Sequence, residues 1–182
     1  MIMKEKSLRE KSIVFIGFMG VGKTTIGRLV AQNLYRSFID IDEQIEKEFQ
    51  MPVPDVFKLI GEPAFRQKEK ELVKKYANQS LKVISLGGGA FMQEEIRDVC
   101  LNNCTVFYLD MPWDAWKERI HLLMADRPVL QGRSLEDIEE LFYSRQTAYA
   151  SHHSKVTIDK DSPEEIADYI TNSLKTAWKL YE

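Results

Sequence analysis

The stretch GFMGVGKTTIG, Gly17 to Gly27, restricts what this chain can fold into more than any other part of it. It follows an apolar run, Ser12 to Ile16, that reads as a buried strand, and it leads into a segment with helical spacing at Ile26, Leu29, Val30 and Leu34. Residues Gly17 to Thr24 fit GxxxxGK[ST] in the strand-turn-helix setting where that pattern has a mechanism. A polyphosphate needs several backbone N–H groups converging on one concavity, and side chains at Cβ would obstruct them. The helix that opens near Lys23 adds its positive end. Lys23 then brings a full charge to the β- and γ-phosphates, and the Thr24 hydroxyl suits a magnesium ion. Gly20, Val21, Gly22, Lys23, Thr24 and Thr25 are therefore the expected nucleotide-binding residues. A dinucleotide fingerprint starting at Gly20 fails, because Thr25 stands where glycine is needed. Gly27 falls inside the helix and is better explained by close packing on the sheet.

Short β-branched or aromatic runs at 12–17, 37–42, 81–87, 105–110 and 155–159 alternate with helical patterns at about 23–35, 43–50, 53–60, 63–78, 93–102, 112–124 and 135–149. A last helix starts at Ser162 as its cap, with Pro163 in the first turn and Glu165 completing a capping box. Strand alternating with helix implies a parallel sheet with helices on both faces, a three-layer α/β/α P-loop fold. The 182 residues fit one domain, 1–182, with no repeat or linker dividing it. With 25 basic and 28 acidic residues mixed along the chain, no basic field for nucleic acid exists. No segment approaches a membrane span and no signal peptide is evident, so a cytoplasmic protein is expected. Cys100 and Cys104 are too few for a structural zinc site and read as reduced thiols. The tandem His152 and His153 diverge and read as surface side chains, and Trp113, Trp116 and Trp178 as packing.

Three further stretches carry polar residues toward the expected ligand edge. On a strand through FIDID, Asp40 and Asp42 share a face at its carboxyl end; one suits magnesium through water, the other an attacking hydroxyl. A carboxylate with an ordinary pKa near 4 is a weak base toward an alcohol, so orientation is the expected contribution of Asp42. The bland alternative is an Asp that caps the next helix. In GEPAFRQKEKE, Glu69 lies three residues after Arg66 and can hold its guanidinium ready for a substrate carboxylate, although the same letters taken alone read first as a solvated helix face with mixed charges. In SLGGGA, Gly87, Gly88 and Gly89 bring backbone close to something, where a mere turn needs only one glycine. No acidic residue ends that strand, which leaves Ser85 and Asp40 to serve magnesium through water.

These four stretches, in this order and spacing, resemble the shikimate kinase family, a P-loop kinase group of the nucleoside-monophosphate-kinase structural class. The likeness extends from about Ser12 to Ile170. It implies a five-stranded parallel sheet of order 2-3-1-4-5, magnesium with ATP as co-substrate, and transfer of the γ-phosphoryl group to the 3-hydroxyl of shikimate. It further implies an acceptor-binding region at about 43–78 and a lid at about 122–134, in a protein expected to be a monomer. By the same resemblance Asp42 binds the hydroxyl, Arg66 and Arg145 clamp the carboxylate, and Gly87 to Gly89 line the ring. Arg127 in ADRPVLQG matches the lid arginine that reaches the phosphates, with Lys23 and Asp42 as the other catalytic residues. Arg119 and Lys160 match adenine-side positions. After Arg145 the family's Pro-Leu-Tyr is reduced here to Tyr149. The residues of the lid agree independently: a loop with proline, glycine and two arginines can exclude water as it closes, though an ordinary helix connection has the same composition. The rival readings are a gluconate kinase, which needs a different acceptor pocket, and a non-catalytic ATP-binding regulator, in which loss of Lys23, Asp42 or Arg127 is expected.

Overall fold

The computed structural model describes residues 6–123 and 130–181. Among these, β1 (Ser12–Ile16), β2 (Ser37–Asp40), β3 (Lys82–Ser85), β4 (Cys104–Asp110) and β5 (Ser154–Thr157) form one sheet in the order β2-β3-β1-β4-β5. Every pairing is parallel, with Phe15 of β1 level with Ser85 on one side and Phe107 on the other. The helices are α1 (Lys23–Asn33), α2 (Ile41–Phe49), α3 (Val53–Ala77), α4 (Glu94–Asn103), α5 (Trp113–Lys117), α6 (Ile120–Leu123), α7 (Leu135–Tyr149) and α8 (Pro163–Tyr181). All five residues of β1 are buried, as a central parallel strand covered on both faces requires. Helix α1 packs on α8, and α3 packs on α4. The layers and strand order are those expected, and none of the described helices is long and apolar enough to cross a membrane.

Where boundaries differ, a local interaction decides them. The expected strand 37–42 stops at Asp40, because Asp40 caps α2: its side chain accepts the Glu43 N–H at 3.2 Å. Asp42 is thus in the first helical turn, and strand alternation does not explain where it points. The expected helices 53–60 and 63–78 run end to end as α3, broken at Gly61, whose φ of 78° is not helical. Pro63 then sits near the start of the second part, as a proline can. The expected helix 112–124 divides into α5 and α6, and residues 124–129 of the lid region lie outside the described residues. The capping box of α8 is present in both directions, Ser162 N–H to Glu165 at 2.8 Å and Glu165 N–H to Ser162 at 3.2 Å. Val106 donates its backbone N–H to His153 Nδ1, and His152 tilts on Tyr108, so the tandem histidines serve the edge between β4 and β5.

The loop after β1 turns through Gly17, Gly20 and Gly22, all at positive φ. At Gly17 (φ 149°) a Cβ would also lie 2.6 Å from the Leu109 carbonyl of β4. Gly27 fits its packing reading: a Cβ there would meet Phe38 at 2.7 Å. Gly17→Ala is expected to lower the unfolding free energy by about 1–3 kcal/mol, measured by urea denaturation. An unchanged midpoint would show that the loop absorbs a side chain there.

Candidate active site

Because all strands are parallel, their carboxyl ends open on one edge, and the loops after β1 and β3 meet the start of α2 there. Two adjoining cavities lie along it. The first, about 260 Å³, is walled by Gly20, Gly22, Lys23, Thr24 and Thr25 of the glycine loop together with Asp40, Asp42 and Ser85. The second, about 460 Å³, is walled by Arg66, Glu69, Gly89 and Arg145 with the apolar Val53, Phe57 and Leu141. Met19, Asp42, Gly87 and Gly88 line both.

In the first cavity Lys23 is only 7% exposed, and its ammonium donates to the carbonyls of Gly17 at 2.7 Å and Phe18 at 2.8 Å. Val21 turns its side chain into the core, which leaves its backbone for the loop. The Thr24 hydroxyl donates to Asp40 Oδ2 at 2.7 Å, and the buried Ser85 lies on the same wall. These hard oxygen donors fit a magnesium ion that keeps most of its shell from water and phosphate. No cluster of three or more His, Cys, Asp or Glu among the described residues offers an all-protein metal cage.

In the second cavity Arg66 is fixed from several sides. Its Nη1 donates to Glu69 at 2.9 Å, Nε lies 3.5 Å from Glu62, and the guanidinium sits over the stacked rings of Phe57 and Phe65. Glu69 is 1% exposed and also accepts from Gln93 at 2.9 Å, so this part of α3 is no solvated face. Burial pushes the Glu69 carboxyl up to about 7; Asp42 pushes the same way, while Arg66 and Gln93 oppose. Arg145 is 7% exposed, and its Nη1 has no hydrogen-bond partner among the described residues. Burial works against its charge, yet guanidinium does not lose its proton, so this buried cation calls for an anion.

The glycine run is what lets these groups converge. A Cβ on Gly87 would stand 3.1 Å from Asp42, one on Gly88 3.2 Å from Arg145, and one on Gly89 2.6 Å from Arg66. Asp42, Arg66, Arg145, Lys23, Thr24 and the run Gly87 to Gly89 are therefore brought together. Arg119 and Lys160 are exposed and line neither cavity, and Arg127 lies outside the described residues. Two supports escape the sequence reading. Trp116, fully buried, donates its indole N–H to the Met19 carbonyl of the glycine loop at 2.7 Å. Phe57 forms part of the wall of the second cavity. Trp116 and the loop it holds are ninety-seven residues apart, and only the folded chain joins them.

The family model described as shikimate kinase matches residues 19–175. A shikimate kinase of Oceanobacillus iheyensis is 58% identical over 175 residues, 96% of each chain. One from Bacillus subtilis is 54% identical over 176 residues, covering 96% of this chain and 95% of its own. Among solved structures, the shikimate kinase from Acinetobacter baumannii in complex with shikimate is 28% identical, with a TM-score of 0.86 over 93% of this chain and 96% of that one.

Glu69 binds its proton more tightly folded than unfolded, where the ordinary value is 4.5. Its contribution to stability is thus greatest at low pH and is lost as pH rises from 4.5 to about 7. Denaturation at pH 5 and at pH 7.5 is expected to show a larger drop for the wild type than for Glu69→Gln. Equal drops would contradict the burial assigned to this carboxyl.

Proposed function

The chain belongs to the shikimate kinase family, and on that premise we propose which residues carry the transfer of the ATP γ-phosphoryl group to the 3-hydroxyl of shikimate. The activity is that of a phosphotransferase with ATP and shikimate as its substrates, in aromatic amino-acid biosynthesis. What supports the assignment of roles is one observation: Asp42 lines both cavities, with the glycine loop on one side and the arginine pair on the other.

ATP lies with its phosphates against the N–H groups of Gly20, Val21, Gly22, Lys23, Thr24 and Thr25. Lys23 leaves the Gly17 and Phe18 carbonyls for the β- and γ-phosphates, exchanging two neutral acceptors for charged ones. Thr24, with Asp40 and Ser85 acting through water, would hold the magnesium ion, which supplies charge neutralisation to the phosphate oxygens. Shikimate enters the second cavity carboxylate first. Arg145 takes it with the Nη1 that lacks a partner, and Arg66, already set by Glu69, takes it beside Arg145. The ring lies along Gly87 to Gly89, which leaves the 3-hydroxyl at Asp42. There the carboxylate accepts the hydroxyl proton in a hydrogen bond, aims the oxygen at the γ-phosphorus, and receives the proton late in a loose transition state. The lid arginine Arg127 covers the phosphates, and Arg119 and Lys160 take the adenine side. The enzyme works as a monomer in the cytoplasm, as one domain.

An ADP-release assay with ATP, magnesium and a panel of shikimate, gluconate and nucleoside monophosphates is expected to show turnover on shikimate alone. Asp42→Asn should lower kcat by about 10²–10⁴-fold while nucleotide affinity persists. Collapse of nucleotide affinity in that variant would place Asp42 on the donor instead.

A further inference from the structure

The run Gly87 to Gly89 has an intrinsically deformable backbone, since glycine has more freedom to lose than any other residue. Its carbonyls are nevertheless tied. Gly87 O accepts from the Ala90 N–H at 3.1 Å and Gly89 O from the Met92 N–H at 3.2 Å, both in local turns. The middle carbonyl, Gly88 O, accepts from a side chain sixty-one residues away: the Tyr149 hydroxyl at 2.5 Å. Tyr149 is fully buried at the end of α7, with its ring stacked on Tyr108 at 5.4 Å. Burial pushes its phenol up to about 12, with the charge of Arg145 and a hydrogen bond to it opposing, so the hydroxyl keeps its proton at neutral pH. One helical turn earlier on α7, Arg145 meets the same glycine from its Cα side. No peptide bond here is cis, so fixing the Gly88 carbonyl also fixes the direction of the Gly89 N–H in the same plane.

We propose that Tyr149 is a positioning residue for the acceptor: its hydroxyl, by holding the Gly88 carbonyl, sets the plane of the Gly88–Gly89 peptide and its spacing from Arg145. Both glycines and Arg145 line the second cavity. The clamp therefore shapes the surface on which the ring lies; Gly88 also borders the first cavity beside Met19, a residue of the glycine loop that Trp116 holds separately. An acceptor that meets a preset wall loses less freedom on binding than one that must order it. This inference rests on the reading of the second cavity as the shikimate site.

Steady-state kinetics with each substrate varied separately test it in Tyr149→Phe, which keeps the ring and removes the hydroxyl. Tyr108→Phe is the control. It removes a hydroxyl from the same stack, one bonded to Asp110 and Gln146 and not to the glycine run. Thermal melts of both establish that they are folded. Tyr149→Phe is expected to raise KM for shikimate roughly threefold to tenfold, the size of one lost hydrogen bond, with KM for ATP within about twofold. Tyr108→Phe is expected to leave both unchanged. An unchanged shikimate KM in Tyr149→Phe, an equal rise in both KM values, or the same rise in Tyr108→Phe would overturn the positioning role. Wild-type protein that fails to turn over shikimate would instead overturn the acceptor reading, and this inference with it.

Discussion

The site depends on one carboxylate, Asp40, that lines the first cavity and not the second. Asp40 Oδ2 accepts the Thr24 hydroxyl at 2.7 Å, and Asp40 Oδ1 accepts the Glu43 N–H at 3.2 Å. The first bond fastens the start of α1, and with it the glycine loop, to the end of β2. The second starts α2 at Ile41, which puts Asp42 in its first turn. The glycine loop and Asp42 are thereby referred to the same residue, and a partly buried charge-assisted pair is stiffer than a neutral one. Asp42 has little room to drift from the junction of the two cavities, because the Gly87 backbone lies against it on the other side.

Charge is managed differently on the two sides of that junction. In the first cavity Lys23 is held by neutral carbonyls, an arrangement readily exchanged for phosphate. In the second cavity Arg66 keeps a buried carboxylate partner and Arg145 keeps an unsatisfied Nη1. A fully paired arginine couple would have no reason to admit a small acid, and two unpaired ones would be costly to bury. Glu69 resolves this by pairing with one of them only. Its own burial makes it a reluctant anion, which limits competition with an incoming carboxylate.

Much of this was legible in the letters. Residues 17–24 gave the phosphate loop, the alternation of short apolar runs with helical patterns gave the parallel sheet, and Ser162 with Glu165 gave the start of α8. Asp42 reaches the site by another route than strand alternation. The strand ends at Asp40 because a cap competes with the ladder, a choice settled by one side-chain hydrogen bond. Arg66 and Glu69 were readable as a pair, but not that Glu69 is buried, since burial depends on α4 and the glycine run packing over it. The letters mark Trp116 as packing and Tyr149 as the residue kept from the family's motif, but not what either holds: their partners, Met19 and Gly88, lie far off in sequence, and nothing local marks the pairing.

The most direct measurement is a crystal structure of the chain with shikimate, ADP and magnesium. The predicted arrangement has the shikimate carboxylate within hydrogen-bond distance of both Arg66 and Arg145, and the 3-hydroxyl against Asp42 at the junction of the two cavities. A carboxylate bound elsewhere with Arg145 Nη1 still unpaired, or a 3-hydroxyl turned away from Asp42, would contradict it.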